Sequence, residues 1–444
     1  MAPLGPFGPA PRLGLAVSGG ADSLCLAALA AAWARARGGG VIALVVDHRL
    51  RASSGAEAEE TRRCLAERLG IRSRLLTLTD LAPGPGLSAR ARAARYAALE
   101  EACVEEGVLD LLLGHHAADQ AETVLMRGLR GSGAAGLAGM APLVETPALR
   151  LLRPLLPLPP GRLRQTLREA GIPWVEDPSN ASPRFTRARL RALRADRAGA
   201  GPASRALAEA AAAHAQARAS SEAKAARFLA RCAEIRPEGF ARLPAGPWPA
   251  LALGALLRMI GGSPYPPDAQ AAARIAARPV EEIGQGITLA GVRLLPAGRL
   301  GPGFLLCREA AAMAPAIPAR PGALWDGRFR LPPGAAPIGA GDRIGALGAE
   351  AARFRTLSPL PAVVLETLAC LRAADGRLRA VPALGWIAEG AEPAPGILFS
   401  PANPASRASV SPLSRDSACP PPARPPRHPL ARGDLPPCSA SRSR

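Results

Sequence analysis

The first 200 residues of this 444-residue chain predict an α/β fold, an open, doubly wound parallel sheet, followed by a helical domain and a small α+β domain. Three observations predict it. Short aliphatic or β-branched runs at 13–17, 41–46, 74–78 and 109–113 alternate with helix-length segments, as strands buried on both faces do when helices return the chain between them. Residues with chemistry to offer follow three of those runs directly, where the strand C-termini of such a sheet collect ligands. Strand signals then give way to an Ala- and Arg-rich helix over 206–232.

The first run ends at Ser18-Gly19-Gly20-Ala21-Asp22-Ser23, and an Ala/Leu-rich helix follows as far as Arg35 and Arg37. Gly19 and Gly20 allow positive φ and close approach of a ligand, so successive N–H groups and the helix N-terminus can face one anion. Ser18 and Ser23 add hydroxyl donors. The turn holds no lysine and fits neither the GxxxxGKS/T nor the GxGxxG spacing, so it is a phosphate cradle of another type.

The second run ends in Asp47-His48-Arg49-Leu50-Arg51 and leads to a helix over about 55–69. A strand at 74–78, a Pro/Gly turn at 83–86 and a helix over about 87–106 come next. After the strand at 109–113, Gly114-His115-His116-Ala117-Ala118-Asp119-Gln120-Ala121-Glu122-Thr123 opens another helix, and one more is expected near 160–170. Asp119 and Glu122, three apart at a helix start, can hold Mg²⁺, accept a proton or complement the helix dipole. His115 can serve packing or a hydrogen bond as readily as chemistry.

The formal charge of +19 favours a polyanionic partner, of which nucleic acid is the commonest. Nearly all of it is arginine, since Lys224 is the only lysine. Residues 182–200 carry six arginines against Asp196, with Arg187, Arg191 and Arg194 on one helical face, suited either to solvent or to an RNA backbone. The eight cysteines form no CxxC pair, which disfavours a zinc ribbon or an iron–sulfur site and fits free thiols in a reducing compartment. Residues 23–34 make too short an uncharged run to span a bilayer, which takes ~20 residues. A cytoplasmic protein with no membrane partner is expected.

Taken together, the motifs identify a family. SGGADS at 18–23 resembles the SGGxDS signature of the PP-loop ATP pyrophosphatases. With VDHRLR at 46–51, ARAARY at 91–96, GHHAADQAET at 114–123, RGSGAAGLAGM at 130–140, RPLL at 153–156 and EDPSN at 176–180, the series resembles the tRNA(Ile)-lysidine synthetases in order and spacing. Ala118 departs from the pattern, since the family shows two consecutive Asp before the Gln, and Ala188 stands where many members have Asn.

The resemblance implies a PP-loop sheet and a ligase that uses ATP and Mg²⁺. It would adenylate the C2 oxygen of the wobble cytidine in a tRNA(Ile) with a CAU anticodon, release pyrophosphate, and let the ε-amine of free L-lysine displace AMP. It implies Asp22, Asp119 and Glu122 as catalytic residues, Asp22 and Asp119 as Mg²⁺ ligands, and Ser18, Gly19, Gly20, Ala21, Asp22, Ser23, Asp47, His48 and His115 as ATP contacts. Arg92, Arg95, Arg130, Arg187 and Arg191 are the expected contacts to phosphate or RNA. The alternatives are another PP-loop tRNA-modifying ligase, which the absence of CxxC and of a glutaminase segment disfavours, and a non-catalytic tRNA-binding relative, which Ala118 motivates.

The expected domains are 1–200, the ATP-binding catalytic domain; 201–313, mostly helical and closing on a hairpin near 287–306; and 314–400, a small α+β domain with strands at 329–331 and 378–381. Residues 401–444, dense in Pro, Ser and Arg, are expected to form a disordered tail.

Overall fold

A computed structural model describes residues 1–406 apart from 50, 52, 80, 82–83, 147, 176–189, 191–195, 197–200 and 336–337. The chain divides into two compact units, Met1–Ser220 and Ser221–Arg444.

The first unit is built on a six-stranded sheet of β1 (Arg12–Val17), β2 (Gly40–Asp47), β3 (Ser73–Thr77), β4 (Asp110–Leu113), β5 (Leu143–Glu145) and β6 (Arg150–Leu152) in the order β3-β2-β1-β4-β6-β5. The pairs β2/β3, β1/β2, β1/β4 and β4/β6 are parallel, and β5 is antiparallel at the edge. Alternation along each strand divides the core. Leu13, Leu15 and Val17 of β1 and Ala43 and Val45 of β2 pack on one face under α1 (Ala21–Arg35), α2 (Ser54–Leu69) and, further along the chain, a helix at Pro160–Glu169. Ala16, Ile42, Leu44 and Leu111 pack on the other face under α3 (Leu87–Glu105), through Leu99 and Cys103. Gly14 is small for the same reason, since a Cβ there would stand 3.2 Å from Cys103 Sγ.

The first four strands and their helices fall within a residue or two of the runs in the sequence. The sheet continues past them. After α4 (Ala117–Gly128) and the short α5 (Ala134–Leu137), β5 and β6 extend it before α6 (Pro160–Glu169). Arg150 fixes this extension to β4 through hydrogen bonds of 2.6 and 2.8 Å to Asp110. The strand order reverses between β1 and β4, so their C-terminal ends border the crevice in which such sheets bind ligands.

Helix α7 (Pro202–Cys232) runs across the division between units. The second unit holds more strand than the helical reading of 201–313 anticipates. Besides the expected hairpin of β10 (Val292–Pro296) and β11 (Phe304–Arg308), the strands β7 (Glu234–Arg236), β8 (Phe240–Leu243) and β9 (Ile287–Leu289) complete a five-stranded antiparallel sheet. Helices α8 (Ala250–Ile260) and α9 (Ala269–Ala276) supply Leu253, Leu256, Leu257 and Ile275 to the same core. A second five-stranded antiparallel sheet and a three-stranded one follow, and include the expected strands at Leu378–Val381 and Phe329–Arg330.

At their base Asp326 accepts hydrogen bonds from Arg308 at 3.1 Å and Arg328 at 2.8 Å, all three side chains buried. Of the expected tail, residues 401–406 are tied in by Ala402 N–H to Gly327 O and Asn403 Nδ2 to Ser263 O. Residues 407–444 lie outside the described residues. No helix among the described residues is long and apolar enough to cross a membrane.

Candidate active site

The loop from β1 to α1 has the geometry that the sequence suggested. Gly19 adopts φ +80°, and a Cβ there would run into Thr61 Oγ1 of α2, so both backbone conformation and space require glycine. Gly20 is the N-cap of α1 and makes no side-chain cap, which leaves the first N–H groups of the helix directed at the loop. The serines brace this cradle from within. Ser18 N–H donates to Ser23 Oγ at 3.1 Å, and Ser23 Oγ donates to Gly20 O at 3.0 Å. Ser23 is thus committed to the loop, whereas Ser18 is exposed. A shallow cleft of about 100 Å³ beside Gly19 is lined by Leu24, Glu60, Thr61, Cys64, Pro173, Trp174 and Val175.

The β4–α4 turn closes against this loop. A Cβ on Gly114 would stand 3.2 Å from the backbone of Ser23, so the two turns meet at van der Waals distance. Contact at this point places Asp22 against the start of α4. His116 is the N-cap there: its Nδ1 accepts from Asp119 N–H at 3.4 Å, and its own N–H donates to Asp119 Oδ2 at 3.1 Å, a reciprocal capping box. Because Nδ1 is an acceptor, the proton of the neutral ring sits on Nε2, 3.3 Å from Asp22 Oδ2 and 3.5 Å from Asp119 Oδ2. One buried imidazole therefore holds two carboxylates together. Sequence reasoning selected His115 and passed over His116, although the His-x-x-Asp spacing of the cap was there to be read.

Asp22 Oδ1 is buried without a hydrogen-bond partner, an oxygen suited to a cation. No group of three or more His, Cys, Asp or Glu that could hold a metal occurs among the described residues. A divalent ion on Asp22 and Asp119 would thus depend on oxygens from a ligand for the rest of its coordination. Glu122 is fully buried on α4, whereas the Asp119 side chain keeps 14% of its exposure. Ala118 is buried as well.

The RGSGAAGLAGM loop is held by α4. Gln120 donates to Met140 O at 3.0 Å and accepts from Met140 N–H at 2.7 Å, and Arg127 Nη1 donates to Gly136 O and Gly139 O at 2.9 and 2.8 Å. Arg130 is exposed at the loop's start.

Asp47 is nearly inaccessible. Its Oδ1 accepts from Ser54 Oγ at 2.7 Å and Arg49 N–H at 2.9 Å, so it shapes the turn into α2. Burial would raise this carboxyl, but the Ser54 and Arg49 hydrogen bonds and the Arg49 charge together hold it below the usual carboxylate range. His48 and His115 stand in a basic neighbourhood. Burial first, then Arg95, pushes the His48 imidazole down, and burial pushes His115 down to about 4, with Arg153, Arg92 and Arg95 adding to it against Asp119. Arg92 is exposed and lies 5.0 Å over the Tyr96 ring, and Arg95 is half-buried on the same helix. Arg187, Arg191 and the EDPSN segment lie outside the described residues.

Comparison with known proteins places this geometry. Residues 4–195 match the PP-loop domain. A tRNA(Ile)-lysidine synthase of Caulobacter vibrioides is 36% identical over 382 residues, 83% of this chain and 86% of that relative. The chain belongs to the tRNA(Ile)-lysidine synthase family. A Bradyrhizobium tRNA(Ile)-lysidine synthase is 42% identical over 205 residues, 46% of this chain, and there the match spans only 57% of the relative's length. A solved U34-tRNA thiolase from Methanococcus maripaludis gives a TM-score of 0.40 at 17% identity, covering 48% of this chain and 76% of that one. The use of ATP comes with membership of this PP-loop family.

Proposed function

We propose that this protein ligates L-lysine to C2 of the wobble cytidine in tRNA(Ile) bearing a CAU anticodon, consuming ATP and releasing AMP and pyrophosphate. The observation that carries this reading is the pairing of Asp22 and Asp119 through His116 beside an amide-lined loop, at the point where the strand order reverses. N–H groups of residues 19–23 would hold the pyrophosphate leaving group as its charge develops. Leu24, Cys64 and Trp174, beside Glu60, give the cleft next to that cradle an apolar wall on which a base could rest.

Mg²⁺ bound by Asp22 and Asp119 would offset phosphate charge. His116 keeps the two carboxylates within one hydrogen-bonding radius and stops them from turning away. The attacking amine must be neutral, and Asp119, the more exposed of the α4 carboxylates, is placed to take its proton. Glu122 is fully enclosed and would act by positioning Asp119 one turn before it. Exposed Arg130 is proposed to meet the RNA backbone, as are Arg187 and Arg191.

The test is pyrophosphate release from ATP by the full chain with the isoleucine tRNA transcript. Release that requires the CAU anticodon, and that continues beyond one equivalent per enzyme only when lysine is present, is the expected result. Binding of the transcript with no release in the presence of lysine would refute the assignment.

A further inference from the structure

Arg153, from the RPLL motif, is a buried cation with no counter-charge among the described residues. It is 8% exposed and forms no ion pair among the described residues, and its Nε is a buried donor without a partner. Nη1 donates to Ala141 O at 2.7 Å, which orients the guanidinium and neutralises nothing. Its neighbours add positive charge. Tyr96 is an electrostatic neighbour of Arg153, and Arg92 reaches its hydroxyl at 3.4 Å while lying over the ring. Arg95 and the neutral His115, whose Nδ1 is also buried and unpartnered, complete the group. A buried charge left uncompensated is costly, so an arrangement of this kind is completed by an anion.

The position of the cluster narrows the choice of anion. It lies with α3, on the face of the sheet packed by Ala16, Leu44 and Leu99, whereas the phosphate cradle leads into α1 on the opposite face. Asp119, paired with His116 beside the cradle, is also a charge neighbour of His115. A small molecule with its anionic end at Arg153 would therefore present its other end toward the Asp22/Asp119 pair. A phosphate within a nucleic-acid strand carries ribose on both sides and cannot follow a guanidinium that is 8% exposed, but a terminal carboxylate can.

We propose that Arg153, held by Ala141 O beside the Arg92–Tyr96 pair, binds the α-carboxylate of the amino-acid substrate, with Tyr96 as a positioning residue. The planar fork of arginine suits a carboxylate, and the substrate amine is left at the acidic end of the site. This inference rests on the ligase reading above.

Full-length protein is assayed for tRNA-dependent pyrophosphate release with L-lysine and with 1,5-diaminopentane, which keeps the terminal amine and lacks the carboxylate. The unaltered chain is expected to prefer lysine. In Arg153→Met the lysine-over-diaminopentane ratio of kcat/KM should fall about 10- to 100-fold. Arg153→Lys should recover part of it, and Tyr96→Phe, which keeps both guanidinium groups, should give a smaller fall. Equal losses for both amines, or a loss confined to the KM of ATP or tRNA, would overturn the assignment and place a phosphate there. If Arg153→Met proves too unstable to purify, an unchanged ratio in both Arg153→Lys and Tyr96→Phe overturns it equally. No release by the unaltered chain with either amine would instead refute the ligase reading, and this one with it.

Discussion

Replacing His116 separates the two tasks that the ring performs. His116→Asn keeps a side-chain acceptor for Asp119 N–H, since Asn is a favoured N-cap, but it is too short to reach Asp22. His116→Ala removes both. The cap contact is long at 3.4 Å, so its loss belongs near the low end of the ~0.5–2 kcal/mol measured for caps. The Nε2 contact to Asp22 is 3.3 Å against about 2.8 Å for a good charge-assisted hydrogen bond, and Asp22 keeps a third of its exposure. That contact therefore falls near ~1 kcal/mol, below the usual range for bonds to charged groups.

His116→Asn should then cost about 1 kcal/mol and His116→Ala about 1.5 kcal/mol. A double-mutant cycle of His116→Asn with Asp22→Asn isolates the bridge, with an expected coupling near 1 kcal/mol. Urea unfolding measures the totals, and hydrogen exchange at the N-terminus of α1 locates the change. The loss of lysine-dependent pyrophosphate release should exceed the stability loss, because the released carboxylates no longer share one site. Additivity of the two substitutions to within about 0.3 kcal/mol would show that His116 does not join the carboxylates, and the site geometry argued here would be wrong.

Further outcomes follow from the same contacts. Gly19→Ala should cost about 1–3 kcal/mol from positive φ alone and weaken ATP binding further, and Thr61→Ala should recover only the part due to the clash, as calorimetry with ATP would read. Asp326→Asn would leave Arg308 and Arg328 buried without their shared partner and should destabilise the second unit by about 3–5 kcal/mol, visible as a lowered thermal transition. His115 titrates near 6.5 when unfolded and near 4 when folded, so the unfolded chain gains the proton first. Stability should therefore fall as pH drops from about 6.5 toward 4, and His115→Gln should flatten that part of the pH profile.

Strands β1 to β4, their helices and the glycine turn were legible in the residues because each is dictated by nearest neighbours in sequence. A continuous aliphatic run has no polar face to leave in water, and Gly19 and Gly20 open a turn whatever surrounds them. The candidate site was legible to the level of which turns carry its residues: the structure brings Asp22 and Asp119 together around His116 beside the glycine turn. The antiparallel edge of β5 and β6 escaped notice, since three-residue strands carry almost no periodicity and Arg150 reveals its role only once Asp110 lies opposite. The sheet of the second unit escaped it as well, because β7 and β8 are short and Ala241 and Leu243 of β8 gain their core from distant residues such as Leu229, Leu253 and Leu306.

What the sequence by itself determined was the order of elements, the cradle and the family. Only the tertiary structure decided the roles within the site. Asp47 and His48 are adjacent in the chain, yet one carboxylate is spent on Ser54 and Arg49 while burial and then Arg95 push the neighbouring imidazole down. His115 and His116 are also adjacent and differ in the same way. The reason is geometric: the extended backbone at His116 turns successive side chains to opposite sides, so one ring meets Asp22 across the crevice and the other meets Arg153 and Arg95. That assignment depends on groups up to 94 residues away, from Asp22 to His116, which no local pattern records.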